Sequence, residues 1–199
     1  MRFSSFLSSA VALGTCALAQ SETTGLLGDA IPVTNNPPGV VAIAVLPEDA
    51  FTPEGLDGNV RGWVQVTTGP DGVGANFEVL FYNLPPDGGP FIYHIHVDPV
   101  VDGNCTNTQA HLDPFIRGES PPCDATRPET CQVGDLSGKH GAVTSDPFIA
   151  SYHDPFLSVV EGPGSYFLNR SMVFHYANTT RITCSNFKII GQGGDANTK

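Results

Sequence analysis

From Gly39 onward the chain alternates short runs of β-branched and aromatic residues with turns of Gly, Pro, Asp and Asn. "GVVAIAVLPED" is one such run, and "NVRGWVQVTTGPDGVGANFEVLFYNLPP" predicts two strands about a Gly-Pro-Asp-Gly turn. "FIYHIHVDP", "IASYHDPFLSVV", "SYFLNRSMVFHYA" and "RITCSNFKII" continue the series. No window of a dozen residues repeats its apolar positions at the helical period. Many short strands joined through Gly and Pro predict an all-β, antiparallel sandwich or barrel. At 199 residues there is room for one domain with a full core.

Two stretches break the rhythm. Residues 98–146 gather Pro99, Pro114, Pro121, Pro122 and Pro128 and carry Cys105, Cys123 and Cys131. A loop of that length is expected to be functional and pinned. At the N-terminus, Arg2 precedes a run of apolar and small residues that closes on Ala17-Leu18-Ala19, the pattern of a secretory signal cleaved before Gln20. The chain is thereby divided into a signal over 1–19, a loose polar leader over 20–38, a β domain over 39–191 and a polar tail over 192–199.

Secretion changes the meaning of what remains. Cys16 leaves with the signal, and the even set Cys105, Cys123, Cys131 and Cys184 predicts two disulfides, with three pairings open. Cys123 and Cys131 are near enough to staple the Pro-rich loop, which would leave Cys105 and Cys184 to tie distant segments. No spacing forms a CxxC zinc pattern. Eight remaining basic residues against 20 acidic ones leave the mature chain at −12, which excludes nucleic acid and anionic membranes as natural partners. Sequons at Asn104, Asn169 and Asn178 predict surface glycans. The tail "GQGGDANTK" has no apolar stretch to signal a membrane anchor, so the expected location is extracellular, free or at the cell wall.

Candidate chemistry lies in the histidines. His94 and His96 stand two apart in a predicted strand, and side chains at i and i+2 share a face. His111, His140, His153 and His175 complete the six. An all-imidazole site suits copper best and oxygen-loving cations worst. His175 follows Val173 and Phe174, a setting in which a lone histidine is more often a hydrogen-bonded core residue than a ligand. Spacing alone does not choose among these residues.

"YHIH", "AHLDP", "CQVGDLSGKHG", "NRSMVFH" and "TRITC", in this order, resemble the copper/zinc superoxide dismutase superfamily, and especially its fungal extracellular copper-only branch. The resemblance runs from about Gly39 to Gly191. It implies an eight-stranded Greek-key sandwich and a Cys105–Cys184 disulfide. It further implies copper bound by His94, His96, His111 and His175, and an arginine, Arg181, that guides superoxide to the metal. His140 and His153 match no ligand. Of the family's zinc ligands only His111 and Asp135 have counterparts. Gln132 stands at one histidine position, and no histidine lies between His111 and His140 to fill the other. No zinc is therefore expected. Asp135 is expected instead to accept a hydrogen bond from the outer ring nitrogen of His111 and so orient it. Copper-only relatives carry a glutamate where Gln132 stands. Only "YANTT" separates His175 from Arg181, where zinc-bearing relatives have a long charged loop, so an open site is expected.

The implied activity is dismutation of superoxide to oxygen and hydrogen peroxide, with His111 and Arg181 as working residues beside the copper. Lys139 and Arg170 are further cations that no spacing places. Two other readings compete. A cupin-like oxygenase also builds on HxH, but it expects a glutamate soon after the second histidine, and "VDPVVDGN" has none. A copper-binding surface protein would keep the fold without the turnover.

Overall fold

In a computed structural model the described residues are 24–53 and 56–192. The predicted signal and most of the predicted tail lie outside them. The strands are β1 (Val41–Val45), β2 (Arg61–Thr68), β3 (Ala75–Tyr82), β4 (Ile92–His96), β5 (Phe148–Asp154), β6 (Ser171–His175), β7 (Arg181–Asn186) and β8 (Lys188–Gly191). They form a five-stranded sheet in the order β5-β3-β2-β1-β8 and a three-stranded sheet in the order β4-β6-β7. All named pairings are antiparallel. The return of β8 to the side of β1, beyond the β1-β2-β3 meander, is the Greek-key connection.

Alternation sorts the side chains of the larger sheet. In β3, Ala75, Phe77, Val79 and Phe81 point inward and are buried, while Asn76, Glu78, Leu80 and Tyr82 face outward. Phe81 meets Tyr93 of β4 and Phe174 of β6 edge-on, with ring centroids 5.3 and 4.8 Å apart, and so joins the sheets. On the outer face, register aligns Val45, Trp63, Leu80 and Ile149 in one row across four strands.

The smaller sheet is buried on both faces, which removes the alternation from β4 and β6. Tyr93 and Ile95 enter the core from one face of β4; His94 and His96 occupy the other. Over that second face lies the long loop, tied down by the Cys105–Cys184 disulfide, which packs with Val173. A second disulfide, Cys123–Cys131, closes the Pro-rich part of the loop. The two pairings are those suggested by spacing and resemblance.

Two local features depart from expectation. A five-residue helix, α1 (Leu136–His140), stands inside the long loop, too short to register as a period. The leader is not loose over its described part. Asn36 is buried, donates to the carbonyls of Gly74 (2.8 Å) and Leu157 (3.1 Å) and accepts from Val159 N (2.9 Å). That one carboxamide welds the leader to two loops of the domain. Among the described residues no helix is long and apolar enough to cross a membrane.

Candidate metal centre

The edge of β4 not paired with β6 is taken up by the long loop. Leu112 N donates to Ile95 O (2.8 Å), Ile95 N to Gly134 O (2.9 Å) and Gly134 N to Leu112 O (2.7 Å). A Cβ at Gly134 would sit 2.3 Å from the Ile95 carbonyl, so only glycine lets this turn close on the strand. The result sets His111 across from His96 as an isolated antiparallel bridge. From the other side, β6 brings His175 opposite Ile92. Four histidines thus converge, His94, His96, His111 and His175, each with one ring nitrogen within 4.8 Å of the others'.

Each imidazole has its outer nitrogen engaged. His96 Nδ1 donates to the Gln109 carbonyl (2.9 Å), His175 Nδ1 to the Thr179 carbonyl (2.9 Å) and His111 Nδ1 to Gln132 Oε1 (2.7 Å). His94 Nε2 lies 3.5 Å from Asp135 Oδ1. Such outer partners decide which nitrogen carries the proton. They leave an inward set of unprotonated atoms: His94 Nδ1 and the Nε2 atoms of the other three. His94 Nδ1 is buried with no hydrogen-bond partner, and the Nε2 atoms of His96 and His175 face each other at 3.3 Å. Two lone pairs at that separation, beside a buried orphan nitrogen, fit a bound cation.

The electrostatics agree. Burial, reinforced by the neighbouring imidazoles, holds His94 well below the usual histidine range. The same causes, burial first, hold His96 down to about 2. Burial lowers His175 to about 4 against the opposing hydrogen bond to Thr179. These rings stay neutral, the state in which a histidine ligates a metal.

Arg181, opposite His175 in the β6–β7 register, donates Nη2 to the Gln109 carbonyl, the oxygen that also holds His96. One peptide group thus ties an imidazole to a guanidinium. Gln109 adopts φ 61°, ψ −138° to aim it, a conformation that favours glycine. Gln109→Gly keeps the carbonyl and is expected to stabilise the fold by about 1 kcal/mol. A rise in thermal midpoint with unchanged metal affinity checks this.

Several positions differ from the sequence-based expectations. Asp135 faces His94 rather than His111, and caps α1 by accepting from Gly138 N (2.7 Å). The outer partner of His111 is Gln132. Lys139 pairs with Asp154 in the core, and Arg170 donates to the carbonyls of Tyr166 and Val97, so neither joins the imidazoles. His140 stacks on Tyr152 and bonds Asp154, while His153 meets Asn76, both outside the cluster. Sequence reasoning missed Asp113, whose Oδ2 accepts from Gln132 Nε2 (3.1 Å), although its place in "AHLDP" was visible. A cavity of about 440 Å³ beside His94 and His111 is lined also by Arg117, Glu119, Gln132 and Asp135.

No protein-family model matches the chain. The chain is 39% identical over 199 residues to a cell surface Cu-only superoxide dismutase of Arthroderma benhamiae, covering 85% of this chain and 52% of that protein. It is 40% identical over 158 residues to cell surface superoxide dismutase [Cu-Zn] 6 of Candida albicans, covering 78% and 47% respectively. The chain therefore spans about half the length of these curated relatives. Among solved structures, the Cu(II) form of Candida albicans superoxide dismutase 5 is similar, with a TM-score of 0.66 and 31% identity. That likeness covers 81% of this chain and 99% of that one. With its four converging imidazoles on a Greek-key sandwich, the chain belongs to the copper/zinc superoxide dismutase superfamily, in the fungal extracellular copper-only branch.

Proposed function

We propose that this protein is a secreted, cell-surface superoxide dismutase that uses copper and no zinc. The observation that carries this reading is the set of four inward, unprotonated ring nitrogens, each backed by an outer partner, with Arg181 alongside. His94, His96, His111 and His175 would hold the copper, which would supply a one-electron cycle. One superoxide is oxidised to oxygen; a second is reduced and takes two protons to become hydrogen peroxide. The protein's part is to keep His94, His96 and His175 neutral and to draw an anion toward a surface whose overall charge repels it. Arg181 does the second, as a local cation with donors suited to a small oxyanion. Zinc lacks a seat. The outer nitrogen of His111 is held by a neutral carboxamide, and Asp135 is turned to His94. We place the domain at residues 39–191, and glycans at Asn104, Asn169 and Asn178. The exposed Asn178 lies in the short link between His175 and Arg181.

The test is superoxide decay catalysed by the copper-loaded, zinc-free protein. A rate constant of roughly 10⁸–10⁹ M⁻¹s⁻¹ is expected. Arg181→Ala should lose about 10- to 100-fold, as one charge-assisted hydrogen bond to the substrate is removed, with copper retained. If that variant decays superoxide like the parent, the role of Arg181 fails; if the parent does no better than free copper, the enzyme reading fails. The alternative is then a copper-binding surface protein.

A further inference from the structure

We infer that Asp113, acting through Gln132, decides which nitrogen of His111 carries the proton, and so turns the Nε2 lone pair toward the other three imidazoles. Asp113 is a focus of donors. Its Oδ1 accepts from Arg117 N (3.0 Å), and its Oδ2 from Gly118 N (2.8 Å) and Gln132 Nε2 (3.1 Å). An ionised carboxylate can only accept, so the edge of Gln132 that meets it must be the NH₂. The planar carboxamide then presents Oε1 on its other side, 2.7 Å from His111 Nδ1. That oxygen also only accepts. Nδ1 must therefore carry the hydrogen, and Nε2 is left as a lone pair.

A glutamine by itself makes no such choice. A carboxamide turned over by 180° offers NH₂ to Nδ1 and stabilises the opposite tautomer, with a proton where a ligand lone pair is needed. Asp113 is what forbids the turn. Glu119, the other carboxylate near this nitrogen, lies 4.0 Å away on a mostly exposed side chain, beyond hydrogen-bond reach. Asp113 is thus a positioning residue, and it restores to a neutral carboxamide the one-way acceptor character of a carboxylate. The consequence for the metal rests on the copper reading above; the tautomer does not.

The experiment is ¹⁵N NMR of the imidazole nitrogens in the metal-free protein at pH 8, with Cu(II) affinity measured in parallel. The parent should show His111 protonated at Nδ1. Asp113→Ala should move a substantial fraction to the Nε2–H form and weaken Cu(II) binding by roughly 10- to 100-fold, as for other outer partners of ligating histidines. Adding Gln132→Glu to Asp113→Ala supplies a carboxylate that cannot turn to a donor, and should restore both readouts. A merely structural role for Asp113 predicts no such rescue. If Asp113→Ala does not fold, Asp113→Asn gives the same reading with the loop's backbone donors still partly met. An unchanged Nδ1–H tautomer in a folded Asp113 variant overturns the inference. A parent that shows the expected tautomer but binds no copper overturns the copper reading instead.

Discussion

Asp154→Asn is expected to cost about 3–5 kcal/mol of folding stability. The Asp154 and Lys139 side chains are both fully buried and pair directly. Lys139 Nζ also donates to Val133 O (2.7 Å), and Asp154 takes His140 Nε2 (2.9 Å) and Phe156 N (3.0 Å). Burial resists ionisation of Asp154, yet Lys139 and His140 hold its carboxyl down to about 2. Asparagine keeps the shape and the Phe156 bond but strands an ammonium in the core. The urea midpoint should fall at an unchanged m-value. Pairing the change with Lys139→Met should recover part of the loss, since it removes the stranded ammonium from the core. A loss under about 1 kcal/mol for Asp154→Asn alone would show that Lys139 finds water or another partner.

The second large effect is acid lability of the metal-free protein. In the unfolded chain His94, His96 and His175 each take a proton near pH 6.5. In the fold His175 resists to about 4, His96 to about 2, and His94 is likewise lowered, burial being the first cause for each. The unfolded state therefore binds more protons as pH drops below about 6.5, and stability falls in that direction. Each group contributes about 1.4 kcal/mol per pH unit, so three give roughly 4 kcal/mol per unit between pH 6 and 4. Asp154 acts later, its contribution being lost only between about pH 4 and 2. Against a typical stability of roughly 5–15 kcal/mol, a loss of that size over two pH units lowers the thermal midpoint of the metal-free chain steeply. Thermal midpoints of the chelator-treated protein from pH 8 to 4 would show this. A profile flat down to pH 4.5 contradicts it, and His175→Gln should shallow the slope by about a third.

The strands and the first two imidazoles of the cluster were legible in the chain because both depend on a short-range rule. Alternation in "ANFEVLFY" reads directly as a half-buried strand, and His94 and His96 share a face for the same reason. His111 and His175 entered through resemblance, since no spacing joins them to β4. Asp135 faces His94, not the expected His111. Which ring a carboxylate reaches depends on the cap it makes at α1, a matter of a few torsions that no pattern encodes. Asp113 and Lys139 were hidden by their type, charged residues in a loop rich in turns, where exposure is the ordinary outcome. Asn36 was hidden likewise: a polar residue in a polar leader whose burial follows from three backbone partners distant in sequence.

The outer row of the larger sheet has a practical consequence. Trp63 is the chain's single tryptophan, and it stands between Val45 and Leu80 on the five-stranded sheet, whereas all four converging imidazoles belong to the smaller sheet and its covering loop. The molecule thus carries its own fluorophore on one layer and the imidazole cluster, proposed above to hold copper, on the other. Emission from Trp63 follows the integrity of the meander, and the visible absorption of Cu(II) follows the imidazole cage. Recorded together through an unfolding ramp, the two signals distinguish a cage that loosens first from a sandwich that melts as one.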